Sequence, residues 1–140
     1  MILDYDDEFT TTPAQAITAT ANGTKVKDGI KAKDWAAGEP IFAVVRVTEA
    51  FNTLTSLTVD VIADTAVGLA TAPTVVASKS ILLAALTLNS VHHIGALIPG
   101  TSKRFLGMKF TVVGTNPTTG KVVGFLAQTD QRPQDGVVSL

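Results

Sequence analysis

His92 and His93 are the only imidazoles in the chain, and imidazole is both the commonest metal ligand and the side chain that titrates nearest neutral pH. Adjacent residues on a strand leave opposite faces, so an extended segment would keep the two rings from closing on one ion. A jelly-roll metal site needs histidines in alternation plus a carboxylate, and no Asp or Glu lies nearby in sequence. Spacing therefore favours a structural or interface pair, with a metal site as the lesser alternative. The run from Gly114 to Gly120 and Lys121 resembles a phosphate loop at first sight. That motif has four residues between its glycines and a Ser or Thr after the Lys; here there are five, Val122 follows, and Pro117 removes a backbone donor. The expectation is a loop joining two antiparallel strands.

The other reactive residues fail on pattern. Asp4, Asp6, Asp7 and Glu8 offer oxygen donors, but a calcium loop requires Gly at its sixth position and a closing Glu at its twelfth. They read as a solvated or partner-binding arm. Asn22-Gly23-Thr24 matches the glycosylation acceptor triplet and reads as a turn. Ser102 lacks the flanking glycines of a nucleophile elbow, with only His92 or His93 to serve as its base. Asp60 and Asp64 lie near one strand's end at a spacing that does not test paired acid/base chemistry. Trp35, Tyr5 and six Phe are too few and scattered for a sugar- or base-stacking platform. No catalytic, cofactor-binding or metal residue is assigned, and the chain is expected not to be an enzyme.

Composition narrows the partners. Zero Cys excludes a disulfide framework, a thiolate zinc site and a cysteine nucleophile. With 11 Lys+Arg against 12 Asp+Glu, a net charge of −1 and a pI near 6.0, there is no overall basic excess to displace counterions from nucleic acid. The N-terminus is acidic where an export signal would be basic and then apolar. Residues 80–102 lack charge and are long enough to span a membrane, but Thr87, Asn89, Ser90, His92 and His93 would form a polar girdle at mid-bilayer, with Pro99 following. Neither nucleic acid nor a membrane is expected.

The elements that must position these residues are strands. A chain of 140 residues is one domain, long enough to bury about two thirds of its unfolded surface. Thr occurs 20 times and Val 16 times, β-branched types that suit a pleated, half-buried surface. Strict alternation puts Leu57, Val59, Val61 and Ala63 on one face of residues 57–63. It does the same for Leu106, Met108, Phe110 and Val112 in 105–113, and for Ile41, Ala43, Val45, Val47 and Phe51 in 41–51. Weaker candidates cover 15–20, 24–30, 91–98 and 121–128, the last two apolar on both faces. Residues 75–88 fit two readings: a short helix capped by Ser78 through Ile81, Leu82, Ala85 and Leu86, or continued strand. Turn chemistry at Asn22-Gly23, Gly38-Glu39-Pro40, Pro99-Gly100 and 114–120 separates the segments. Seven or eight strands so spaced predict an all-β, single-domain, jelly-roll-like sandwich or barrel over 13–130. It is flanked by an N-terminal arm, 1–12, and a C-terminal tail, 131–140.

Four segments carry a resemblance: Met1-Ile2-Leu3-Asp4, the run Ala14 to Ala21, the Gly38-Glu39-Pro40-Ile41 entry to a long strand, and the run Ile98 to Leu106 with its Pro99-Gly100 and Lys103-Arg104-Phe105-Leu106. They resemble capsid cement proteins of tailed bacteriophages, in particular the small family typified by the cement protein of a Bordetella phage. The similarity runs from Met1 to about Gln128. It implies a jelly-roll sandwich that forms a homo-oligomer, dimer or trimer. It also implies a virion protein, assembled in the host cytoplasm, that binds the outer surface of the head and clamps neighbouring major capsid subunits. No cofactor is implied. On this reading the arm 1–12 and the tail after Gln131 supply part of the clamp, and deleting residues 1–12 is expected to weaken capsid binding and leave the fold intact. A carbohydrate-binding sandwich of a phage fibre or lectin-like protein is the alternative, and a metalloenzyme using His92 or His93 is the third.

Overall fold

A computed structural model describes residues 8–11, 13–37 and 40–127. Its strands are β1 (Gln15–Ala16), β2 (Ala21–Asn22), β3 (Lys27–Asp34), β4 (Phe42–Glu49), β5 (Leu54–Asp64), β6 (Thr74–Leu82), β7 (Val91–Ala96), β8 (Ser102–Gly114) and β9 (Lys121–Ala127). One 3-10 turn, Leu83–Ala85, follows β6. All pairings are antiparallel, in two sheets: β1-β9-β4-β7, and β2-β8-β5-β6 with β3 also on β8. The short β2 and the longer β3 pair with successive stretches of β8, Ala21 opposite Phe110 and Lys27 opposite Leu106, and so act as one interrupted strand. Counted that way, the described residues form an eight-strand jelly roll in which the first of these strands pairs with the last and the second with the last but one.

Alternation places the core as the residue pattern demands. Leu57, Val59, Val61 and Ala63 of β5, Leu106, Met108 and Phe110 of β8, and Ala43, Val45 and Val47 of β4 are all fully buried between the sheets. Gly124 of β9 faces this layer, and a Cβ there would sit 2.6 Å from Met108 Sδ. A second cluster of Val44, Val123 and Phe125, packed with Ala14, Val91 and Ala127, buries the opposite face of the first sheet. This explains why residues 121–128 read as apolar on both sides.

Asn22-Gly23 lies between two strands as expected, and because β2 and β3 share β8 as partner the chain runs on along β8, with the Gly23 N–H donating to Met108 O at 2.6 Å. Glycine is required there because a Cβ would collide with the Phe9 carbonyl. Of the two readings of residues 75–88, continued strand holds and the helix capped by Ser78 does not. The segment forms β6 from Thr74 to Leu82 and then the 3-10 turn, because β5 needs a ladder partner and takes one from Ser56 opposite Leu82 to Ala63 opposite Thr74. Finally, the part of the expected arm 1–12 within the described residues is packed. Glu8 bridges Phe125, the Phe9 N–H donates to Gly124 O at 2.7 Å, and Phe9 O accepts from Lys25 N–H at 3.1 Å. Phe9 and Thr10 are fully buried, so the body of the domain begins by residue 8. Residues 1–7, Gly38, Glu39 and the tail 131–140 lie outside the described residues.

Candidate binding surface

The residues singled out for chemistry are dispersed. On β7, His92 is opposite Val45 and His93 opposite Val44, so the rings leave opposite faces as strand geometry requires. His92 is buried, with Nε2 2.9 Å from Ser90 Oγ. Its pKa is lowered by burial first and by the nearby Lys79 charge second. Among the described residues no three His, Asp or Glu come together as a metal set.

The loop 115–119 holds itself. The Asn52 side-chain oxygen accepts N–H bonds from Thr118 at 2.9 Å and Thr119 at 3.2 Å, and Glu49 accepts from Gly120 N–H at 3.0 Å. Gly114 and Gly120 take φ of 91° and 135°, which L side chains rarely adopt. These amides are directed at the protein's own acceptors and leave no phosphate cradle.

Asp60 and Asp64 share a strand face about 13 Å apart along β5, too far for paired acid/base work. Asp60 accepts from Ser78 Oγ at 2.5 Å. The buried Asp64 carboxylate accepts backbone N–H bonds from Thr65, Ala66, Thr71 and Ala72 at 2.5, 3.3, 3.0 and 2.9 Å. Burial opposes its ionisation, yet these donors outweigh it and hold its pKa below the usual 3.8. Asp64 thus ties down the β5–β6 loop, which lays Leu69 on Gly107, where a Cβ would collide with it.

The described structure does gather charge at one edge, which sequence spacing did not single out. Six of the eleven Lys and Arg, namely Lys25, Lys27, Lys31, Lys33, Lys103 and Arg104, fall on or beside β3 and the start of β8. A cleft of about 400 Å³ opens here, walled by Trp35, Ile41 and Leu126 with Lys33 and Asp34 among its rim residues. Trp35 is only 9% exposed. Its indole N–H donates to Lys103 O at 3.0 Å, and Lys33 Nζ lies 4.1 Å over its ring, a cation–π contact. Because that face is covered, Trp35 offers no flat platform for a sugar. The exposed large hydrophobics among the described residues, Ile30, Val67, Val75, Leu82, Leu88, Ile98 and Val113, are all aliphatic.

At the crest of β3 the register shifts between Asp28 and Lys33. Asp28 is paired with Arg104 through both oxygens, at 2.8 and 2.9 Å, and also accepts the Ile30 N–H at 2.7 Å. The Arg104 bond first, and the Ile30 N–H second, lower the Asp28 pKa. This arrangement can bind an anionic or acidic surface through its cations; it holds no nucleophile with an attendant base.

The family model described as Bbp16 matches residues 11–126, a span that runs from just before β1 into β9. The family's name suggests a Bordetella phage protein. No curated protein matches the chain.

Proposed function

We propose that this chain, which belongs to the Bbp16 family, is a structural protein of a phage particle: a capsid cement or decoration protein that binds the outer surface of the assembled head and clamps neighbouring major capsid subunits as a homo-oligomer. The observation that carries this reading is the family match across essentially the whole sandwich. A closed two-sheet core and an edge rich in cations are also what an adhesive scaffold requires.

The mechanism is mass action. A protein that binds only the assembled lattice stabilises it by an amount that grows with the logarithm of free concentration over Kd. Each copy in a symmetric oligomer engages a different capsid subunit, so the second contact is intramolecular and avidity exceeds single-site affinity. The acidic segment 1–7 and the tail beyond residue 131 contribute part of the clamp. Deleting residues 1–7 then weakens head binding and leaves the sandwich folded. Equal binding by the truncated protein refutes the arm's role.

Quantitative mass spectrometry of purified particles tests the function itself. A copy number equal to the major capsid protein, or a simple fraction of it set by lattice symmetry, supports the cement role. A handful of copies per particle favours a vertex or fibre component, and absence from the particle refutes a virion role.

A further inference from the structure

Strand β3 lies at the edge of its sheet, with β8 its ladder partner among the described residues. Edge strands are commonly blunted by lysines and bulges that discourage pairing with other chains. Lys31, Lys33 and the register shift do that here, but they do not account for Ile30. This β-branched residue has φ of 69°, a conformation that costs free energy for any side chain branched at Cβ. It is also 82% exposed. Edge protection would be served without strain by Gly or Asn at the same place. A strained, solvent-facing isoleucine is an outlier of the kind that persists where surrounding structure holds it for a purpose.

The surrounding structure does hold it. The Asp28 carboxylate takes the Ile30 N–H and is itself fixed by Arg104. Beneath the crest, Gly29 is pressed so closely that a Cβ would lie 3.2 Å from Trp35 Cζ2 and 3.1 Å from Arg104 O, so the bulge is buttressed by the half of β8 next to the cleft. Among the described residues of this edge, Asp28 is neutralised by Arg104, while Asp34 keeps its charge and accepts the N–H groups of Gly100 at 2.7 Å and Ala36 at 3.1 Å. Lys31, Lys33 and Lys103 outnumber that one carboxylate, so the described edge is net positive.

We infer that Ile30, on the edge strand that carries Lys31 and Lys33 and sets Lys33 opposite Lys103, is a docking knob for an acidic protein surface containing a small apolar pocket. Resting on the capsid reading above, we assign that surface to the major capsid subunit. Charge complementarity selects it. A two-fold contact between copies centred on this strand would set Lys31 and Lys33 against their own counterparts, and like charges so placed oppose association. A purely electrostatic ligand would have no use for the isoleucine.

The test uses the full chain and expanded heads stripped of it, with binding measured by co-sedimentation. Ile30→Asn keeps a residue that tolerates the left-handed conformation and removes the apolar crest. It should melt at or above the wild-type temperature yet bind heads at least about tenfold more weakly, as loss of a hot-spot side chain does. Lys31→Glu with Lys33→Glu should also weaken binding, and should remove its sensitivity to salt. Ile98→Asn, at another exposed isoleucine (63%), should bind like wild type. If wild type binds and Ile30→Asn binds equally well, the knob is refuted while the cement role stands. If wild type itself does not bind heads, the cement role and the assigned partner both fall. If Ile30→Asn spares head binding but abolishes self-association in sedimentation velocity, the occupant is a second copy and the capsid assignment is overturned.

Discussion

Replacing Phe9 by Ala tests whether the N-terminal stretch is part of the core. Phe9 is fully buried, its carbonyl lies against Gly23, and its backbone is bonded to Gly124 and Lys25. The backbone bonds survive the substitution, so the cost is the lost transfer of the ring plus the cavity it leaves, about 3–5 kcal/mol for Phe→Ala at a buried site. Against a typical stability of about 5–15 kcal/mol, that is a large fraction. At about 3 °C per kcal/mol for a domain near this size, the melting temperature should fall by about 10–15 °C. Differential scanning calorimetry, with urea titration as a second measure, reads both quantities. Removal of residues 1–7 should leave the transition nearly unmoved, and removal of 1–12 should lower it by at least as much as Phe9→Ala. A Phe9→Ala loss below about 1 kcal/mol, or a 1–12 deletion that melts like the intact chain, would refute the reasoning.

Gly107→Ala should destabilise by about 1–3 kcal/mol, the usual penalty for overpacking, because its Cβ displaces Leu69; urea midpoints check this. Asp64 has a folded pKa below 3.8, so its stabilisation is present above that value and is lost as pH falls through the folded pKa. Asp64→Asn should accordingly flatten the decline of the urea midpoint in the acid limb and lower the midpoint at neutral pH. His92, with its pKa lowered from 6.5, should titrate below that value by NMR. The stability it contributes as the neutral ring is full above 6.5 and fades toward the folded pKa, and His92→Gln should remove that part of the slope.

The long strands were legible because each has one face in the core: alternation in 57–63 and 105–113 maps onto residues that are fully buried or, for Val112, packed against the core. The opposite directions of His92 and His93 follow from the same periodicity. What was not legible depends on partners far away in sequence. Phe9 and Thr10 sit in polar, irregular sequence, and distant partners make them core: Gly124, whose N–H donates to the Thr10 hydroxyl at 3.2 Å and whose carbonyl accepts from Phe9, and Lys25. Asn22-Gly23 marks the break between two strands, but that both share one partner rests on β8 being long enough, 13 residues, to take β2 and β3 on one side. At 75–88 the demand of an 11-residue β5 for a partner decided between two readings that periodicity left open. The basic edge is not legible in the sequence because a net charge of −1 averages over a chain whose cations are concentrated locally. Nothing in the sequence marks Ile30, since a positive φ at a β-branched residue runs against its own preference.

The pairing of the first strand with the last also governs how the polypeptide matures during synthesis. Strand β9 lies between β1 and β4, so until it is made the first sheet lacks an interior member, and Ala43, Val45 and Val47 have incomplete neighbours on that side. A nascent chain stalled before Lys121 would display a sticky half-sandwich with two raw edges, a species prone to aggregation. Loop closure over nearly the whole domain must precede the reward of those contacts, which makes assembly slow relative to proteins built from local pairings. The arrival of β9, which fills the gap between β1 and β4, is thus the event that commits the sandwich to its native state.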